Sequence, residues 1–214
     1  FISLLLIAQP DIGQTLLVIF CWAVLIFTSG INIYILLATF IAGTSFLAYL
    51  IIYVPKFDYI QGRIFSFFNR ETGTHNFQSD KAIESITSGG FFGKGIGEGV
   101  LKNRVPEAHT DYIISVISEE FGVVAIMLIL LLFLILIYMV FKKISFETND
   151  KVKLILIGSI SLILIQATIH VGVNIRLFPT TGMTLPFLSY GGSSIISTSI
   201  LAGIILNLTK RKIT

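Results

Sequence analysis

Residues 122–141 read GVVAIMLILLLFLILIYMVF, twenty residues without a charge and with Tyr138 as the only side chain able to hydrogen-bond conventionally. A helix rises about 1.5 Å per residue, so a run of this length crosses the roughly 30 Å hydrocarbon core of a bilayer. The pattern recurs on both sides. Residues 13–29 and 31–54 lie upstream, separated by a tight Ser29-Gly30 turn, and residues 152–175 and 186–208 lie downstream. The opening FISLLLIAQPD is too short to cross and reads as the severed end of another helix. The expectation is an all-α, polytopic transmembrane bundle with five complete spans and one remnant.

Composition agrees. The 214 residues are 54% hydrophobic and 13% charged, with a mean hydropathy of +0.89. Soluble domains are about a quarter charged. A chain with half that charge cannot cover its surface with polar side chains, so lipid must be its solvent. A net charge of +3 and a pI near 9.0 do not make it a nucleic-acid binder, because the basic residues form no patch and sit beside the apolar runs instead. The single cysteine, Cys21, excludes an intrachain disulfide or a cysteine-based zinc site. Phe1 opens in mid-apolar run with no basic n-region or cleavage signature, so it does not start a signal peptide. The sequence reads as a piece of a longer chain.

Lysine and arginine set orientation. Lys142, Lys143, Lys151 and Lys153 crowd one short loop, and Lys210, Arg211 and Lys212 end the chain, which places both segments in the cytoplasm. Counting back puts residues 55–121 and the turn near Arg176–Leu185 outside. The long loop does carry seven basic residues, but long loops are largely exempt from this rule. It also holds nine of the twelve acidic residues, so it is the expected seat of chemistry, with short or re-entrant helices of its own.

Four stretches interrupt the apolar pattern: QPDIGQT at 9–15, GGFFGKGIGEG at 89–99, VPEAHTDYI at 105–113 with EEFG at 119–122, and PTTGMTLPFLSYGGSS at 179–194. In this order, with these spans between them, they closely resemble the SEDS family, which includes FtsW, RodA and SpoVE. The resemblance covers essentially the whole chain, making residues 1–214 the carboxy-terminal part of a SEDS membrane domain, with 55–121 as its large extracytoplasmic loop. The run from Gln78 to Gly99 looks like FtsW of α-proteobacterial type, whereas the Thr181-Gly182 pair looks more like RodA; the division branch is favoured.

The resemblance implies a peptidoglycan glycosyltransferase that polymerises lipid II on the outer face of the cytoplasmic membrane. It also implies a class B penicillin-binding transpeptidase (FtsI-like) as partner, together with divisome proteins, undecaprenyl-linked lipid II and membrane lipids, and no nucleic acid. Asp111 is the essential acidic residue that it points to. The chemistry fits, because an acceptor hydroxyl must lose a proton as it attacks an anomeric carbon, and a positioned carboxylate can take it. A helix starting at Val105 or Pro106 would set Asp111 near the interface, with Ser115 and Ser118 on its face. Helix polarity would lower its pKa and desolvation would raise it. An aspartate that only steadies a helix start is the plainer reading.

The donor pyrophosphate calls for cations, and Lys81, Lys94, Lys102 and Arg104 are the local candidates beside ordinary solvated lysines. No cofactor is certain; a divalent cation, Mg²⁺ or Mn²⁺, would serve the same charge. The glycines from Gly93 to Gly99 do not have P-loop spacing. They serve either a loop dipping to the membrane or phosphate contact through backbone N–H groups. His109 orients Asp111, binds substrate or simply packs at the interface. Glu119 and Glu120 line the same cavity or bind a cation. His170 and Asn174 share a face inside a span, as an interhelical contact or a cavity wall. Ser189 and Tyr190 line a groove or pack. Asp11 is an ionisable group at the membrane edge, with a structural role preferred. Two other functions compete: a flippase for a lipid-linked sugar, and a scaffold without chemistry.

Overall fold

The computed structural model describes residues 2–9, 11–68 and 74–210. Helices α1 (Ile2–Ala8), α2 (Ile12–Thr28) and α3 (Ile33–Tyr53) come first, followed by a 3₁₀ turn at Pro55–Phe57. The long loop holds α4 (Asp58–Phe68), α5 (Thr74–Gly89) and a 3₁₀ turn at Leu101–Arg104. Then come α6 (Ile113–Phe146), α7 (Asp150–Asn174) and α8 (Gly192–Thr209), with no strand among the described residues. Helices α3, α6, α7 and α8 are long and apolar enough to cross a membrane, and α2 is equally apolar at 17 residues. The chain is a multi-pass membrane protein.

Local chemistry sets the helix ends. Asp11 caps α2 by accepting the Gln14 N–H at 3.0 Å, which gives this acidic residue the structural role expected of it. Asn32 and Asn149 cap α3 and α7 in the same way. Gly30, at φ +83°, makes the turn between α2 and α3. The last span begins at Gly192 rather than at 186. Before it, Phe187 is held at φ +67° and the Leu185 N–H bonds the Ser189 hydroxyl, so this stretch is a folded turn.

Helix α7 is the central post. Its Leu156, Ile160 and Ile163 pack with Val140 of α6 and Ile205 of α8. On another side α2 approaches closely at Gly158, where an added Cβ would lie 3.3 Å from Leu25. Small residues let membrane helices close up in this way. A second cluster joins Leu17, Ala82, Val105, Ala108, Tyr112, Ile169, Val173 and Met183, tying the long loop to α2 and α7. Helix α3 buries none of its residues.

Two departures from the expected pattern position the site. Residues 105–112 are turns, and α6 begins at Ile113. The N–H groups of Thr110, Asp111 and Tyr112 converge on the Glu107 carbonyl, with Glu107 itself at φ +54°. The reason lies in the carbonyls. Those of His109, Thr110 and Asp111 accept the Tyr190 N–H, the Ser189 hydroxyl and the Asn174 amide at 3.0, 2.7 and 3.0 Å. Bonds to distant partners replace the helical ladder. Ser115 and Ser118 therefore do not flank Asp111: Ser115 donates to the Tyr112 carbonyl, and its own carbonyl accepts from Ser85 of α5, while Ser118 donates to the Ile86 carbonyl of α5.

The second departure is a break inside α6 at Gly122, φ +80° and ψ −179°. The freed carbonyls of Glu119 and Glu120 accept the Lys94 and Gly95 N–H groups at 2.9 and 3.0 Å. The Val123 and Val124 N–H groups donate in turn to the Gly90 and Phe91 carbonyls at 3.0 and 3.3 Å. Only glycine fits the joint. Added Cβ atoms at Gly93 and Gly122 would lie 2.1 Å from the Glu120 oxygen and 2.2 Å from the Phe91 oxygen.

Candidate active site

Asp111 is half-buried at the foot of α6, with Thr110 as a side-chain hydrogen-bond partner. Gly182 stands opposite, and its missing side chain leaves open space whose nearest neighbour, at 3.5 Å, is Asp111 Oδ2. Burial raises the Asp111 pKa, and the negative charge of Glu107 raises it further; the Thr110 hydrogen bond and the Arg63 guanidinium act the other way and do not prevail. Of the two opposed effects weighed from sequence, desolvation wins. A carboxylate with a raised pKa is a better proton acceptor once ionised.

Arg63, on α4, is the residue that sequence reasoning missed. Its guanidinium donates to the Thr180 carbonyl at 3.0 Å and acts electrostatically on Asp111. It also lines a cavity of about 360 Å³ bounded by α1, α2, α3, α4 and residues 178–181. Leu16, Phe20, Leu50 and Ile60 make that wall apolar, and polar residues such as Asp11, Arg63 and Thr181 also border it. The available signal was a lone cation in DYIQGRIFSFF, a short helix rich in aromatic and aliphatic residues, and a cation there can be directed inward.

The other named residues sort clearly. Glu119 is fully buried; its Oε1 accepts the Val100 and Leu101 N–H groups, both at 3.0 Å, and pairs with Lys94 at 3.3 Å. Its Oε2 accepts the Ser85 hydroxyl at 3.1 Å. Several glycine-loop N–H groups are likewise engaged: those of Lys94 and Gly95 bond the Glu119 and Glu120 carbonyls, and that of Gly97 bonds the Glu120 carboxylate at 3.1 Å. These donors of the loop hold the acids of its own chain. Lys81 is paired with Glu84 and lies 5.9 Å over the Phe77 ring. Arg104 is exposed, and the Lys102 and His75 side chains lie outside the described residues. His109 and the Tyr190 ring are exposed, joined through the backbone, whereas Ser189 is buried with its hydroxyl engaged on both sides.

Among the described residues no three His, Cys, Asp or Glu side chains gather as a metal cage. Mg²⁺ asks for less, since one or two carboxylates plus substrate phosphates suffice. Asp111 and Glu107 are two carboxylates near enough for the charge of one to act on the other. Within α7, His170 Nδ1 lies 2.7 Å from the Met183 carbonyl, and Gln166 donates to the Thr184 carbonyl at 2.9 Å and to the Ser194 hydroxyl at 3.1 Å. These bonds clamp residues 179–194 onto the post.

The family model for the FtsW/RodA/SpoVE proteins, described as cell cycle proteins, matches residues 1–213. The chain belongs to that family. A probable peptidoglycan glycosyltransferase FtsW of Caulobacter vibrioides is 35% identical over 213 residues, covering 97% of this chain and 52% of the relative. The stage V sporulation protein E of Bacillus subtilis is 34% identical, over 97% and 57%. A solved structure concerning the structural coordination of polymerization and crosslinking by a peptidoglycan synthase complex superposes with a TM-score of 0.76 at 29% identity. That match covers 97% of this chain and 57% of the other. The chain thus spans about half the length of the FtsW/RodA/SpoVE relatives it matches. The Caulobacter relative agrees with the α-proteobacterial character of residues 78–99.

Proposed function

We propose that this chain is part of a peptidoglycan glycosyltransferase that polymerises lipid II during cell division, on the outer face of the cytoplasmic membrane. The observation that carries the reading is the placement of Asp111: half-buried with a raised pKa, and within the electrostatic reach of Arg63, a residue that itself lines the apolar cavity. Relatives named as peptidoglycan glycosyltransferases support the activity, and those named FtsW support the division branch. A RodA-type elongation role is the nearest alternative.

In this mechanism the acceptor hydroxyl attacks the anomeric carbon of the donor sugar. The new C–O bond forms as the anomeric C–O(phosphate) bond breaks, the pyrophosphate leaves with the electron pair, and the proton passes to Asp111. Arg63 is the cation proposed to steady the departing charge, because it acts electrostatically on Asp111 and lines the apolar cavity. A divalent cation, held by Asp111 and Glu107, would supply further charge neutralisation when bound. The apolar cavity suits a polyprenyl tail. Tyr190 and His109, exposed near Asp111, are candidate sugar contacts; Glu119 and Ser189 position the backbone around them.

The loop 55–121 lies outside the cell in this reading, and the end of the chain lies in the cytoplasm. A class B penicillin-binding transpeptidase is the proposed partner, supported by the likeness to a peptidoglycan synthase complex. A flippase would need its essential groups near the bilayer midplane. Asp111 instead precedes the span.

The test is polymerisation of purified lipid II by the protein with its transpeptidase partner, wild type beside Asp111→Asn and Arg63→Ala. Loss of polymer with partner binding intact supports the assignment. Normal polymer from Asp111→Asn removes Asp111 from the chemistry, and a defect only in precursor crossing in vesicles favours transport.

A further inference from the structure

The glycine loop carries an apolar tip that the proposed chemistry does not use. Phe91, Phe92 and Ile96 are 76%, 85% and 80% exposed. Isolated exposed hydrophobes are ordinary, but three bulky ones on a six-residue stretch mark a contact surface.

Two independent observations identify what covers them. The first is continuity. The Phe91 carbonyl accepts the Val124 N–H, so the tip is fastened where α6 enters its long apolar run. From there exposed apolar residues continue along α6 at Val123, Met127 and Leu128, on a helix long and apolar enough to cross a membrane. The second is backbone satisfaction. Irregular backbone is excluded from lipid because unpaired N–H groups are costly there. Here the Gly93 N–H bonds the Gly89 carbonyl, those of Lys94 and Gly95 bond the Glu119 and Glu120 carbonyls, and that of Gly97 bonds the Glu120 carboxylate. These four donors, on the part of the loop that lies against α6, would not be stranded near an apolar phase. Lys94 is no obstacle, since lysine buries its stem while its ammonium stays at a polar level, here beside Glu119.

We infer that Phe91, Phe92 and Ile96 insert among the lipid acyl chains surrounding the entry end of α6, making the glycine loop a membrane anchor. The loop is tied onward to residues 100 and 101 through Glu119, so the anchor fixes the depth of the segment that leads to Asp111.

The test is site-directed spin labelling of the protein, Cys21→Ala, reconstituted in phosphatidylethanolamine–phosphatidylglycerol vesicles, with nitroxides at Phe92→Cys, Ile96→Cys and, as a control, Glu98→Cys. The expected result is that oxygen relaxes the labels at 92 and 96 severalfold more than a water-soluble nickel chelate does, with the reverse at 98. Dominance of the nickel chelate at 92 and 96 means that the tip faces water and overturns the inference. Low accessibility to both reagents means that protein covers it, and overturns it equally. These exposed positions tolerate the label, and agreement between the two guards against a local artefact. The measurement does not depend on glycan polymerisation.

Discussion

Removing the Glu119 carboxylate tests how the long loop is held. Its partners include four donors within 3.3 Å: the Val100 and Leu101 N–H groups, the Ser85 hydroxyl and the Lys94 ammonium. Breaking a buried ionic hydrogen-bonded group by removing one side costs about 3–5 kcal/mol. Each buried donor left without a partner costs about 1–3 kcal/mol, and three of the four belong to backbone or to buried Ser85. Glu119→Ala is therefore expected to destabilise the protein by about 3–5 kcal/mol. Lys94 contributes little of this, because its side chain is 38% exposed and water screens the pair; Lys94→Ala should cost no more than about 1 kcal/mol. Glu119→Gln keeps an acceptor for the two N–H groups and should fall between them. Reversible unfolding in mixed detergent micelles gives the three values, and hydrogen exchange at residues 94–101 locates the loss. Equal costs for Glu119→Ala and Lys94→Ala would refute the reasoning, because the ion pair would then be the whole interaction.

Other expectations follow from the same geometry. The folded Asp111 pKa lies above its ordinary 3.8, so its stabilising contribution is whole below about that pH and is lost as pH rises through the folded value; base activity runs the opposite way. The acid limb of a polymerisation pH profile should thus sit above 3.8 and move down in Glu107→Gln, where a charge that raises the pKa is gone. Gly122→Ala forces a Cβ to 2.2 Å from a carbonyl oxygen at φ +80° and should prevent stable folding, whereas Gly97→Ala, at φ +82° in open space, should cost about 1–2 kcal/mol in the same unfolding assay. Arg63→Ala should lower kcat/KM for lipid II polymerisation by about 10²–10³-fold, with lysine restoring only part of it. Ser189→Ala, which loses bonds to Leu185 and Thr110, should lower stability by about 1–3 kcal/mol, read from a thermal melt.

The spans were legible because crossing a bilayer needs only length and apolarity, both of which are local properties of sequence. Residues 122–141 announce themselves, and the caps at Asp11, Asn32 and Asn149 lie one step from the helices they start. The start of α6 was not legible. Pro106 is a sound local helix signal, but the bonds that override it come from Asn174 and Ser189, 63 and 79 residues away from the carbonyls they reach. Asp111 stood out through its motif, whereas the direction of its pKa shift needed the burial and the facing Glu107. Glu119 reads in sequence as a cavity-lining or cation-binding acid, and its fastening of the loop was not legible, because the donors that engage it are mostly backbone groups of a loop about 20 residues earlier. Arg63 escaped notice for a related reason: only the cavity shows which way a single cation on a short helix points.

The joint at Gly122 has a practical bearing on how this protein is handled. A surface stretch with glycines at 89, 90, 93, 95, 97 and 99 looks like a natural place to splice in an epitope or a fluorescent reporter. Its register, however, is locked against a broken helix by paired backbone groups on both sides of residue 122, as one strip of a zipper is locked to the other. An insertion between 93 and 95 would shift every later tooth by the inserted length. The turn at Ser29-Gly30, where an added side chain at Gly30 meets nothing, is the safer point of entry.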